Sequence, residues 1–152
     1  MASKYRNFTA RFYSSDGVDW DSALDIRMLL LKHDAGLVFD ATHDSVSAVL
    51  AETENVECDD GSYGRVEILE ANRNLNQDGD TLQARIGAAI DFGALDNEEV
   101  GAAIVYIHTG ADDANNIPLT YHDDNFPQTA NGAGFTVGGE NQVVAETEIN
   151  PA

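Results

Sequence analysis

Four histidines, one cysteine and two acidic loops hold the side chains with which this 152-residue chain could do chemistry. The histidines are His33, His43, His108 and His122. No two stand at i, i+4, and Cys58 is not at ligand spacing from any of them, so a zinc site is not expected. An acid follows a histidine in "THD" and in "YHDD", a pairing too common to mark a catalytic dyad. Cys58 lies in "VECDDG", where neighbouring anions keep a thiol protonated and argue against a nucleophile. Neither G-x-S-x-G, nor a P-loop, nor G-x-G-x-x-G occurs. The expectation is a protein that is not an enzyme and carries no cofactor.

The acidic loops bear on metal binding. In "NLNQDGD", Asn74, Asn76, Asp78 and Gly79 match the first half of a calcium loop, but the twelfth place, which needs a bidentate Glu, is Arg85. A hairpin turn is the expected reading. "GADDANN" offers Asp112, Asp113, Asn115 and Asn116, which could hold a hard cation through oxygen. The same residues are those of an exposed turn, since Asn and Asp bond their own backbone, and the turn is favoured with no metal.

These loops need elements to position them. Tyr5, Phe8 and Phe12 at i, i+3 and i+7 predict an N-terminal helix that breaks at Gly17. "LDIRMLLLKHD" (24–34) reads as a buried strand, with a helix as the alternative. "DSVSAVLAE" reads as a short helix capped by Asp44, with Val46, Val49 and Leu50 on one face. From Gly64 the pattern is β. "RVEILEANRNL" alternates imperfectly, "NQDGD" is a turn, and Leu82, Ala84 and Ile86 share a face ahead of Ile90 and Phe92. "GAAIVYIHTG" is apolar on both faces and predicts a central strand. "IPLTYHD" turns Leu119 and Tyr121 inward, Thr120 and His122 outward. Two last strands flank Gly138-Gly139. The fold expected is mainly β: an antiparallel sandwich or barrel of seven or eight short strands, with the N-terminal helix and a second short one. It forms a single domain over 1–152, with a helical segment at 1–20, a β-rich body at 21–149 and a tail at 150–152.

The bulk numbers agree with a folded globule. Hydrophobic content is 43%, with six Phe and five Tyr, unlike a disordered acidic tail. One cysteine excludes an intrachain disulfide. "MASKYRNFTARFY" has no apolar core of a signal peptide, and no run of 18 apolar residues predicts a membrane helix. Net charge is −19, and residues 86–152 hold eleven acids and no Lys or Arg. Such a surface repels phosphate backbones and acidic lipid, so neither nucleic acid nor membrane is an expected partner.

The order of several motifs is informative. An Asp-Trp precedes the apolar strand in "DGVDWDSALDIRMLLLKHD". "GAAIVYIHTGADDANNIPLTYHD" contains A-x-V-Y-x-x-T-G and then P-L-x-Y-x-D, and "TANGAGFTV" contains N-G-x-x-F-T-V. From about Tyr5 to Val137 the chain resembles a family of small virion structural proteins of tailed bacteriophages. It departs in its last segment, "NQVVAETEIN", which is acidic and lacks a Trp. The resemblance implies a virion component without catalytic residues. It would be a capsid decoration (cement) protein on the head exterior, or alternatively a minor neck or tail component. Its partners would be the major capsid protein or other virion proteins. It would be made in the host cytoplasm and located in the virion. A homo-oligomer is implied, a trimer on lattice geometry. The N-terminal cations and aromatics, Lys4, Phe8, Arg11, Phe12, Tyr13 and Trp20, would contact the capsid. A further alternative is an acidic ligand- or calcium-binding module.

Overall fold

In a computed structural model, residues 3–5, 24–78, 81–138 and 142–148 are described. At their centre runs β7 (Glu99–Ile107), flanked antiparallel by β2 (Ile26–Lys32) and β8 (Ile117–His122). Its unbroken apolar sequence demands cover on both faces, and receives it. Ala103, Val105 and Ile107 share one core with Ile26, Met28 and Leu30. Ala102, Ile104 and Tyr106 share a second with Leu29 and Leu31.

Short edge strands complete this sheet. β1 (Ser3–Lys4) pairs with β8, and β3 (Val66–Glu67) with β2. β9 (Gln128–Thr129) pairs with the start of β7, where β8 has turned away. The strand order is β1-β8-β7-β2-β3. Two smaller sheets cover the first core. One joins β4 (Arg73–Asp78), β5 (Thr81–Ile86) and β11 (Gln142–Glu148); the other joins β6 (Ile90–Ala94) and β10 (Gly134–Val137). From them Ala84, Ile86, Ile90, Phe92, Phe135 and Val137 pack inward. The second core is covered by Tyr5, by Phe39 and by α1 (Val46–Leu50), which buries Val46 and Val49.

The mainly β antiparallel fold expected from the sequence is the one observed, and no barrel closes among the described residues. The described strands number eleven because β1, β3 and β9 are two residues each, too short to produce a period. The remaining eight match the expected count. Several details differ from expectation. Ser3–Lys4 is strand where a helix was predicted, and the Tyr5 N–H donates to the Leu119 carbonyl at 3.0 Å. The rest of that predicted helix lies outside the described residues. "RVEILEANRNL" is not one strand: a 3₁₀ turn at Glu70–Asn72 separates β3 from β4. Ser45, not Asp44, caps α1, its Oγ accepting the Ala48 N–H at 3.2 Å. Thr120 and His122 do not face solvent. Both faces of β8 are covered, with Leu119 in the first core and Tyr121 in the second, so Thr120 and His122, opposite Val105 and Ala103, are buried as well. No helix among the described residues is long and apolar enough to cross a membrane.

Candidate functional site

The acids of "GADDANN" are held from within. Arg65, just ahead of β3, is clamped between two carboxylates. Its Nε and Nη2 donate to Glu57 at 2.7 Å each, and its Nη1 and Nη2 donate to Asp113 at 2.6 and 2.8 Å. The guanidinium also lies over the Tyr106 ring, 5.5 Å from its centroid. Arg65 holds the Asp113 carboxyl below its ordinary pKa, against the opposing effect of partial burial. The network continues outward on both sides. Tyr63 donates to Glu57 at 2.9 Å and accepts the Leu30 N–H of β2 at 3.0 Å. Asn116, 1% exposed, donates to Asp113 at 2.9 Å and accepts the Thr109 N–H at 2.8 Å. The carbonyls of Asn116 and Asp113 take the first N–H groups of α1, from Val46 and Ser47. Asp112 Oδ1 accepts the Ala114 N–H, as an Asx turn does. This loop is a joint between β7, β8 and α1.

The other chemistry-bearing residues are dispersed. His43 Nε2 stands 3.1 Å from Glu52. His108 packs edge-on against Tyr106. His122 pairs opposite Ala103 while His108 lies past the end of β7, so the two do not meet. His122 Nε2 is 2.9 Å from Thr120 Oγ1, and burial pulls its pKa down to about 4, partly offset by Asp124. Cys58 is 3% exposed, and burial together with Glu98 pushes its thiol upward. Asn74–Asp78 belong to a hairpin in which Asn74 faces Arg85 and Asp78 faces Thr81. Among the described residues no three His, Cys, Asp or Glu side chains group closely enough to hold a metal ion. Of the six residues expected at a capsid contact, Lys4 lies opposite Thr120 on edge strand β1. Phe8, Arg11, Phe12, Tyr13 and Trp20 lie outside the described residues.

A cleft of about 280 Å³ opens at the opposite end of the sheet. The 33–37 turn forms one wall and the 123–127 turn the other, with Gly101 of β7 and Tyr121 of β8 between them. Gly101 is required there: a Cβ would sit 2.7 Å from both His33 Cα and Leu37 Cδ1. Tyr121 is 4% exposed and packs 5.5 Å from the Phe39 ring. Asp34 Oδ1 accepts the Gly36 N–H at 2.7 Å. Sequence pattern assigned no role to His33, Asp34 and Asp123. His33 and Asp34 follow β2 and Asp123 follows β8, and the pairing of both strands with β7 brings them together. Arg65, the hub of the other end, was also missed, although it is one of only eight cations in the chain.

Compared with models of protein families, with curated proteins and with solved structures, the chain matches none.

Proposed function

We propose that this chain is a structural binding protein of a bacteriophage virion: a decoration (cement) protein that attaches to the capsid exterior and stabilises the head. The observation that supports this reading most is where the motif residues lie. Val105 and Tyr106 of A-x-V-Y, Leu119 and Tyr121 of P-L-x-Y, and Phe135 and Val137 of the last motif are all buried. A pattern carried by core positions supports a scaffold, as a lattice component needs, more than a set of reacting groups. Charge supports the exterior location, since a net −19 keeps coated particles dispersed. A protein that binds only the assembled lattice stabilises it by mass action.

The test is the copy number of this chain in purified particles, by quantitative mass spectrometry against the major capsid protein. Parity with the capsid protein, or a fixed fraction of it, supports decoration of the shell. A handful per particle moves the protein to the neck or tail, and absence from particles overturns the reading. Phe8→Ala with Phe12→Ala should abolish capsid binding by a chain that still folds; unchanged binding removes the N-terminal contact. The calcium-module alternative is weakened by Arg65, which occupies both oxygens of Asp113.

A further inference from the structure

We propose that Asn131, in the turn between β9 and β10, is a self-modification site: the Gly132 nitrogen closes on its side-chain carboxamide, and the residue becomes aspartate or isoaspartate. The chain has twelve asparagines, and Asn131 alone is followed by glycine. The reaction needs a backbone nitrogen that can approach the Cγ of the preceding side chain. A side chain on the following residue obstructs that approach, and glycine has none. Gly132 holds φ at +82°, a region open to glycine, so the turn itself requires this residue type. Asn131 is exposed, and its Oδ1 accepts the Ala133 N–H at 3.1 Å. That hydrogen bond polarises Cγ and meets the negative charge that forms on Oδ1 when the nitrogen adds. The Nδ2 amine, the leaving group, makes no hydrogen bond among the described residues. Asn55 and Asn116 differ: both are buried, and their amides donate to the Val38 and Val49 carbonyls and to Asp113.

The nucleophile is the restrained member. The Gly132 N–H donates to the Leu95 carbonyl at 2.8 Å, so attack requires that bond to open, and local opening of this turn sets the rate. Hydroxide then removes the amide proton, the nitrogen bonds to Cγ, and Nδ2 takes a proton from water and leaves as ammonia. A five-membered imide remains. One water opens it. Addition at Cγ gives aspartate, and addition at the backbone carbonyl gives isoaspartate, whose main chain runs through Cβ and Cγ. Either product adds a carboxylate to a turn that Asp96 already flanks, its Oδ1 lying 3.8 Å from where a Cβ on Gly132 would stand. The isoaspartyl form also lengthens the main chain between two anchors, the Ala130 N–H on the Glu98 carbonyl and the Gly132 N–H on the Leu95 carbonyl. The modified turn loosens the start of β10 on β6, where Gly134 faces Ala94. The inference does not depend on the virion reading, because the site is defined by its own atoms.

The experiment incubates the full chain in ¹⁸O-water at pH 7.5, beside a capped peptide of sequence TANGAGF, and maps both by mass spectrometry. Label is expected at Asn131 before any other asparagine, in both aspartyl and isoaspartyl forms, and more slowly in the chain than in the peptide. The rate should rise about tenfold per pH unit, because the deprotonated nitrogen is the nucleophile. Unfolding in urea should bring the chain up to the rate of the peptide. Gly132→Ala should leave Asn131 unlabelled over the same period. The same variant is compared in urea as well, where the strain of a positive φ no longer matters and the methyl group still obstructs attack. Label at another asparagine first overturns the proposal. So does aspartate formed without isoaspartate, or an Asn131 that stays unlabelled once the peptide has fully converted.

Discussion

The two ends of the β2–β7–β8 sheet treat acid differently. At one end, where β7 passes into β8, Glu57 and Asp113 close on Arg65, and Tyr63, Asn116 and α1 are tied to the same joint. At the other end, Asp34 and Asp123 line a cleft with His33, and no described Lys or Arg lines it. In a chain of net charge −19 the cations are few, and their placement decides which carboxylates hold the fold. Where a guanidinium is buried between acids, the acids are structural. Where none is placed, the acids add to the self-repulsion of the folded state and stay available to a partner.

The sharpest way to break this comparison is to remove the cation. Arg65→Met keeps much of the stem's packing but leaves two partly buried carboxylates facing each other. The Arg65 and Glu57 side chains are 21% and 23% exposed, so the loss should fall near the lower end of the range for a broken buried pair, about 3 kcal/mol. Urea unfolding at pH 7.5 measures it. A loss under about 0.5 kcal/mol would mean that the joint does not staple the sheet. Arg65→Lys should recover only part, because an ammonium cannot serve two carboxylates bidentately.

The next effect comes from His122, the buried polar residue of β8. Its pKa is about 4 in the folded chain and about 6.5 once unfolded. Unfolding therefore takes up a proton between those values. Stability is full above pH 6.5, falls as pH drops toward 4, and levels below, for a total of about 3 kcal/mol. His122→Gln should flatten this slope in urea midpoints taken from pH 7.5 to 4.5. If the slope persists in the variant, the titrating group lies elsewhere. Losses from the Arg65 pairs come in a separate window: Asp113 titrates below its ordinary value, so that contribution disappears only under about pH 4.

The sequence made the scaffold readable where pattern and burial coincide. The apolar run of β7 announced a strand covered on both faces, and the "NQDGD" turn announced the β4–β5 hairpin. Alternation failed at β8 because both of its faces are covered, so Thr120 and His122 are buried opposite Val105 and Ala103, where they satisfy each other. Asn55 and Asn116 were illegible for a different reason. Each is 1% exposed and reads locally as a turn residue, but bonds backbone six or more residues away along the chain. Asn55 clamps Val38 to the end of α1 through three hydrogen bonds. The cleft was wholly hidden, since it depends on which turns the sheet brings side by side.

Smaller effects sharpen the contrast. Ser45→Ala removes the cap of α1 at the stapled end. Because Val46 and Ser47 already donate to loop carbonyls, the cost should sit at the low side of the usual range, about 0.5–1 kcal/mol, read from the urea midpoint.

The smallest effect belongs to the open end. Asp34→Asn with Asp123→Asn removes two exposed charges that have no cation of their own. Asn can still accept the Gly36 N–H, so stability should change by no more than about 0.5 kcal/mol, and upward, as repulsion is relieved. Asp113→Asn, by contrast, should lose about 1–3 kcal/mol by leaving part of the Arg65 guanidinium unmatched. Salt separates the two mechanisms. Raising sodium chloride screens repulsion among exposed acids, so the wild-type chain should be stabilised, and the double variant should gain less. A double variant that unfolds as readily as Asp113→Asn would mean that the cleft acids hold the fold as the Arg65 joint does, and the distinction between the two ends would be lost.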